Sequence, residues 1–251
     1  MTALLAPDES SPVEVVNADA SAPFVLVCDH AGRALPRSLG TLGLSADELQ
    51  AHIAWDIGAA GVARQLAAEL EATLLLQRYS RLAIDCNRPL SAPDSIPVSS
   101  GGIAIPGNVG LSRAQSDERA RAIFQPYHAA ISSALEQRAR YVLVSIHSFT
   151  PELFGVRRPL HAGVLYERDA RLAAPLLDLL RQEPGLLVGD NQPYAASGAT
   201  DYAIIEYGEK RGAPYVELEV RQDLVADDAG QRLWAARFAR LLRIASAPFH
   251  S

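Results

Sequence analysis

Two histidines, one aspartate and a pair of glutamates are the residues of this chain best suited to chemistry. His30 closes the apolar run Phe24-Val-Leu-Val-Cys-Asp29-His30, and His147 closes Tyr141-Val-Leu-Val-Ser-Ile-His147-Ser148. Neutral imidazole is the commonest protein ligand for zinc. A hydrolytic zinc site combines three protein ligands with an open position for water. A carboxylate would complete the set. Asp56, in His52-Ile-Ala-Trp55-Asp56-Ile-Gly58, is the best placed, because Gly58 and Gly61 interrupt the helical periodicity and free it to point across strand ends. His52 is the rival ligand. The plainer alternative is a core imidazole bonded to main chain for each histidine, and a helix cap for Asp56.

Zinc polarises a carbonyl and activates water, so amide hydrolysis at such a site needs a general base and help for the oxyanion. Glu219 in Tyr215-Val-Glu217-Leu-Glu219-Val-Arg221 is a candidate base, and Glu217 shares its strand face. Arg81, Asn87 and Arg88 are candidates for binding a substrate carboxylate, since a guanidinium fork matches a carboxylate bidentately. The bland reading of an arginine near Asp85 is a structural ion pair.

These residues need elements to bring them together. Four hydrophobic stretches ending in His30, Asn87-Arg88, His147 and Arg221 read as buried strands, and in open α/β sheets ligands lie beyond the carboxyl ends of the strands. Thr73–Gln77 and His161–Tyr166 add further strands. Ser45 and Glu48 form a capping box ahead of a helical pattern that runs to Glu71 and breaks near Asp56. Ser112 and Gln115 open a second helix reaching about Arg140. Ala170–Arg181, Asp201–Tyr207 and 231–245 are further helical pieces. Residues 89–110, rich in Pro, Ser and Gly, read as a loop rimming the site. Residues 1–22 read as a tail or lead-in edge strand, and 23–251 as one catalytic domain. The expected architecture is a single-domain, three-layer α/β/α fold with a mixed, largely parallel central sheet.

With 49% apolar and 21% charged residues, the chain can bury a substantial core. A formal charge of −6 disfavours nucleic acid as a partner. No apolar stretch reaches membrane-spanning length, and the first residues lack the pattern of a signal peptide. Cys28 and Cys86 match no zinc-ribbon spacing and read as buried reduced thiols. A cytoplasmic enzyme follows from these features.

Val-Cys-Asp29-His30-Ala-Gly32, the Asp56 segment, Ser80-Arg81-Leu-Ala-Ile-Asp85-Cys-Asn87-Arg88, Ser145-Ile-His147-Ser148-Phe-Thr150-Pro151 and Glu217-Leu-Glu219-Val-Arg221 together resemble the N-formylglutamate amidohydrolase family across about residues 24–245. Arg-Leu-x-Ile-Asp-x-Asn-Arg is the most specific piece. The resemblance implies a zinc-carboxypeptidase-like fold of the succinylglutamate desuccinylase and aspartoacylase type, with one zinc per chain held by His30, Asp56 and His147. It implies Glu219 as general base with Arg81 assisting, and Asn87, Arg88, Arg221 and Ser148 on the substrate. The implied substrate is a small N-acyl amino acid, N-formyl-L-glutamate first, cleaved to formate and glutamate. A same-fold metallopeptidase or deacylase for another amide is the alternative enzyme, and a carboxylate-binding module the alternative without catalysis. The His-x-x-Glu motif of carboxypeptidases is absent, since Ala31, Gly32 and Arg33 follow His30.

Overall fold

In the computed structural model, which describes residues 3–249, the chain alternates between strands and helices. It runs β1 (Val13–Val16), β2 (Phe24–Cys28), α1 (Ala59–Leu70), β3 (Thr73–Gln77) and the short hairpin β4 (Ser99–Ser100) and β5 (Ile103–Ala104). Helices α2 (Arg113–Arg119) and α3 (Gln125–Glu136) precede β6 (Val142–Phe149). A second hairpin follows, β7 (Glu152–Leu153) and β8 (Val156–Arg157), then β9 (Ala162–Leu165), α4 (Ala173–Arg181) and β10 (Val188–Asp190). The chain ends through α5 (Tyr202–Tyr207), β11 (Tyr215–Arg221) and α6 (Asp228–Ser246).

Seven strands form one sheet in the order β1-β3-β2-β6-β11-β9-β10. The central four, β3, β2, β6 and β11, are mutually parallel, while β1 and β9 pair antiparallel with β3 and β11. The sheet is buried on both faces, as apolar runs without alternation require. Helices α1, α4 and α6 cover one face, setting Val62, Leu66, Leu176 and Phe238 against Leu26, Val144, Ile146 and Leu218. Ile123, Tyr127, Ile131 and Ile204 cover the other, against Val25, Val27, Leu143 and Tyr215. Each such side chain stabilises the fold by about 1.5–3 kcal/mol relative to exposure, so the register that keeps them inside is strongly enforced. The expected three-layer, largely parallel architecture is therefore present, with the N-terminal segment supplying an antiparallel edge strand.

Three local expectations are corrected. Residues 82–88 form turns rather than a strand: Ala83, Asp85 and Arg88 donate to the carbonyls of Ser80, Ser95 and Asp85. The Asp85 carboxylate also takes the Asn87 N–H at 2.8 Å, so side-chain acceptors replace a strand ladder. The stretch before Asp56 is helical only as a 3-10 turn at Glu48–Gln50, and α1 begins after Gly58. The helix opened by Ser112, whose capping box is made in full, widens into a π-turn over Ala120–Phe124. Pro126, two residues past its end, has no N–H to return to Ala122. Among the described residues no helix is long and apolar enough to cross a membrane.

Candidate metal centre and active-site cleft

His30 emerges two residues beyond β2, where the chain must reverse against the end of β3. Gly32 makes that reversal possible, because a Cβ there would lie 2.0 Å from the carbonyl oxygen of Arg78. The His30 carbonyl then accepts the Asp56 N–H at 2.9 Å, which ties the second acidic segment to the first strand end. Ser80 Oγ holds the same segment by donating to the Ala54 carbonyl at 2.7 Å. From the β6 side, Ser148 donates its N–H to Asp56 Oδ2 at 3.3 Å and its hydroxyl to the Ile57 carbonyl at 2.8 Å. Gly58, at φ +83°, lets the chain turn into α1 against the Val225 carbonyl.

These anchors bring His30, Asp56 and His147 together, with one potential ligand atom from each lying within 4.8 Å of the others. All three are buried. His147 Nδ1 is 2.9 Å and His30 Nδ1 is 3.5 Å from Asp56 Oδ2. The imidazoles meet edge to face with centroids 4.9 Å apart. Their far nitrogens are oriented from behind: His30 Nε2 by Asp85 Oδ1 at 2.7 Å, and His147 Nε2 by Ser145 Oγ at 2.9 Å with Asp29 Oδ2 at 3.5 Å. A carboxylate or hydroxyl behind each histidine, with the other nitrogen turned inward, is the usual support for metal-ligating imidazoles. His30 Nδ1 is buried with no hydrogen-bond partner. A buried, unpaired nitrogen aimed at two other donors fits a cation at that point. The three residues could hold a metal ion.

The electrostatics agree. Burial, with help from the Arg81 charge, pushes His30 down to about 4, so its imidazole is neutral. Burial opposes charge on His147 too, yet Glu217, Asp29 and Glu219 outweigh it and lift His147 to about 10. That acidic surround demands positive charge beside His147, which either a proton or a cation supplies.

Glu217 and Glu219 stand beside this centre because β11 pairs with β6 in the register Glu217↔Ser145 and Glu219↔His147. Burial raises Glu219 to about 7, with His147 and Arg81 pulling the other way, and burial raises Glu217 well above the carboxylate range. A cleft of about 320 Å³ opens over the strand ends, of a size for a small molecule. His30, Asp56, Arg81, Asn87, Arg88, His147, Ser148, Glu217 and Glu219 line it, as does His52, whose Nδ1 is 3.7 Å from Asp56 Oδ1 and outside the three-residue cluster. Arg81 bonds Asp56 Oδ1. Asn87 Nδ2 is 3.5 Å from Glu217 Oε2, and Arg88 bonds Asp94 at 2.9 Å and the Thr200 carbonyl.

Arg221 is the exception. It pairs with Asp223 at 2.7 Å and caps the carbonyls of Arg158 and Leu160, leaving it outside the cleft lining. It is the last residue of β11, where the Asp223 carboxylate is its nearest acceptor and the carbonyls of the 158–160 segment lie just beyond. No residue of 89–110 lines the cleft either. That segment supports the floor from behind: Asn108 donates to the carbonyls of Leu82 and Pro97 at 2.8 and 2.7 Å. Arg119, 2% exposed, donates to Ala83 O at 2.9 Å and Asn108 Oδ1 at 2.7 Å.

Several contributors had weak signals in the sequence. Arg119 falls on the stripe Ile123, Tyr127, Ile131 at four-residue spacing, which marks an inward-facing arginine. Asp29 and Asp85 flank candidate site residues and could have been read as partners for the histidines. Tyr194, Ala195, Thr200 and Asp201 line the cleft from an irregular loop with no pattern to reveal it.

The family model for N-formylglutamate amidohydrolase matches residues 22–226. The chain belongs to the N-formylglutamate amidohydrolase family. Members of this family hydrolyse an amide bond in a small amino-acid derivative, and the chain is an amide-bond hydrolase. A crystal structure of a gene product from Agrobacterium tumefaciens is 37% identical, covers 99% of this chain and 100% of its own, and superposes with a TM-score of 0.95. N-formylglutamate amidohydrolase from Ralstonia eutropha JMP134 shares the fold at 19% identity, with a TM-score of 0.66 over 95% of this chain and 98% of its own. No curated protein matches the chain.

Proposed function

We propose that this N-formylglutamate amidohydrolase family member cleaves N-formyl-L-glutamate to formate and L-glutamate, with one zinc ion held by His30, Asp56 and His147. The observation that carries the metal is the unpaired, buried Nδ1 of His30, converging with Asp56 Oδ2 and His147 Nδ1. Two imidazoles and one carboxylate suit zinc. Zinc at such a site supplies Lewis acidity for activating water and polarising a carbonyl.

The residues do the rest. Glu219 takes a proton from water as its oxygen bonds to the formyl carbon. It returns that proton to the glutamate nitrogen as the C–N bond breaks, leaving formate and a free amine. Burial suits it to this task, because a carboxyl near 7 can both accept and release a proton at neutral pH. Arg81, at the edge of the cluster, donates to the carbonyl oxygen as negative charge develops there. Asn87 and Arg88 bind a carboxylate of the substrate, and Ser148 keeps Asp56 in place while facing the cleft. Asp85, behind His30, and Ser145 with Asp29, behind His147, fix the imidazole orientations. The free, buried thiols of Cys28 and Cys86 support a cytoplasmic setting.

The test combines metal analysis with formate release. Purified protein should carry about one zinc per chain, lose hydrolysis of N-formyl-L-glutamate on chelation and regain it with zinc. Full activity in protein stripped of metal, or no formate from zinc-loaded protein, overturns the reading.

A further inference from the structure

Three arginines line the cleft or touch its lining, and two of them already face carboxylates. Arg81 bonds Asp56 and Arg88 bonds Asp94. Arg158, at the foot of the β7–β8 hairpin, has no carboxylate within ion-pair distance among the described residues. Its guanidinium lies over the rings of Phe149 and Tyr194, at 5.7 and 4.9 Å from their centroids, and its Nη1 donates to Tyr194 Oη at 2.8 Å. Its backbone is fixed at both ends of the residue: the N–H donates to the Pro151 carbonyl at 2.8 Å, and its carbonyl accepts from Arg221 at 3.3 Å.

We infer that Arg158 and Tyr194 form a subsite for the side-chain carboxylate of the substrate, and thereby select an acidic amino acid over its uncharged analogues. The inference rests on the reading above and adds to it. A substrate with two carboxylates entering a cleft that already holds Glu217, Glu219 and Asp201 needs two cationic contacts. Asn87 and Arg88 provide one. Arg158, bonded to the lining residue Tyr194, is the remaining guanidinium beside the cleft with no carboxylate partner among the described residues.

Position and chemistry both suit the distal carboxylate. Phe149 stands two strand residues past His147, about 7 Å along β6, and the Arg158 guanidinium lies over its ring. Arg158 therefore touches the cleft through Tyr194, on the side of β6 beyond His147. Tyr194 lines the cleft and is 40% exposed. Because its oxygen accepts from Arg158, its own O–H remains available to donate, so the pair offers a guanidinium and a phenol to one carboxylate. The two rings shield the guanidinium from water on their side, which strengthens its attraction for an anion. The field of Arg158 also reaches His52 and Glu219 in the cleft.

The test compares N-formyl-L-glutamate with N-formyl-L-glutamine, and L-glutamate with L-glutamine as calorimetric ligands, in zinc-loaded wild type, Arg158→Gln, Arg158→Lys and Tyr194→Phe. Wild type should favour the acidic member of each pair by tenfold or more. Arg158→Gln should bring both ratios to within about threefold of unity, mainly through KM, with Arg158→Lys and Tyr194→Phe intermediate. A thermal melt confirms that each variant is folded, and Tyr194→Phe keeps the ring stack if Arg158→Gln does not fold. Wild-type preference that survives in Arg158→Gln, or a wild type without preference in either pair, overturns the subsite. Glutamate preferred over glutamine through Arg158, in a protein that releases no formate, sinks the N-formyl-L-glutamate reading and leaves the subsite standing.

Discussion

The carbonyl of His30 accepts the main-chain N–H of Asp56 at 2.9 Å, so two of the three converging side chains are joined through the backbone before either touches the third. The link makes the spacing of that pair a property of the chain path. His147 arrives from the neighbouring strand and meets Asp56 Oδ2 at 2.9 Å. Replacing His147 with Ala removes one donor and leaves the His30–Asp56 pair intact. Zinc content measured after dialysis should fall below about one tenth of an equivalent, and a variant that keeps a full equivalent excludes His147 as a ligand.

Asp85 supports His30 from behind through the 2.7 Å contact to Nε2. Asp85→Asn keeps the shape and removes the charge. Zinc affinity should weaken by about 10–100-fold, the usual effect of losing a partner behind a metal-bound imidazole. Competition against a chromophoric chelator measures it directly, and unchanged affinity would mean the contact only positions the 85–87 turn.

Glu219 is buried and raised to about 7. A base must be deprotonated to act, so kcat/KM should climb with pH through about 7 and level off above it. Glu219→Gln should lower kcat by about 10²–10⁴-fold while leaving zinc content in place. A variant retaining both the rate and the rising limb would assign the base elsewhere, Glu217 first.

Arg119 carries a buried guanidinium with carbonyl and amide oxygens as acceptors, and burial brings it down to about 10. Arg119→Met fills similar space but leaves Ala83 O and Asn108 Oδ1 without their donor. Urea denaturation should show a loss of about 2–3 kcal/mol. Because Ala83 begins the turn that carries Asp85, Asn87 and Arg88, KM should rise as well.

Cys28 and Cys86 are fully enclosed, and burial pushes the Cys28 thiol up to about 12. A thiol reagent at pH 8 should find no reactive sulfur in the native protein and two per chain in denaturant. Rapid labelling of the folded chain would show that the sheet opens locally at β2.

How much of this could be seen in the sequence depends on the range of the interaction. His30 and His147 were visible because each ends an apolar strand, a local pattern. Asp56 was visible through its neighbours Gly58 and Gly61. The 82–88 segment misled for an equally local reason: its residues are as apolar as a strand, and only the contacts of Asp85 with Ser95, Asn87 and His30 show it to be a turn. Arg221 was aligned by alternation with Glu219, yet strand ends reach past the cleft, and its nearest acceptors decided its place. Tyr194 and Arg158 meet across two irregular segments, and no period in the sequence encodes such a meeting.

The pairing of Glu219 with His147 across parallel β6 and β11 has one more consequence. The separation of Glu219 and His147 is fixed by the hydrogen-bonded frame of the sheet, while Tyr194 and Arg158 hang from segments outside it. Insertions or exchanges in those outer segments can change the cleft lining around Tyr194 while the Glu219–His147 spacing beneath stays as the sheet sets it.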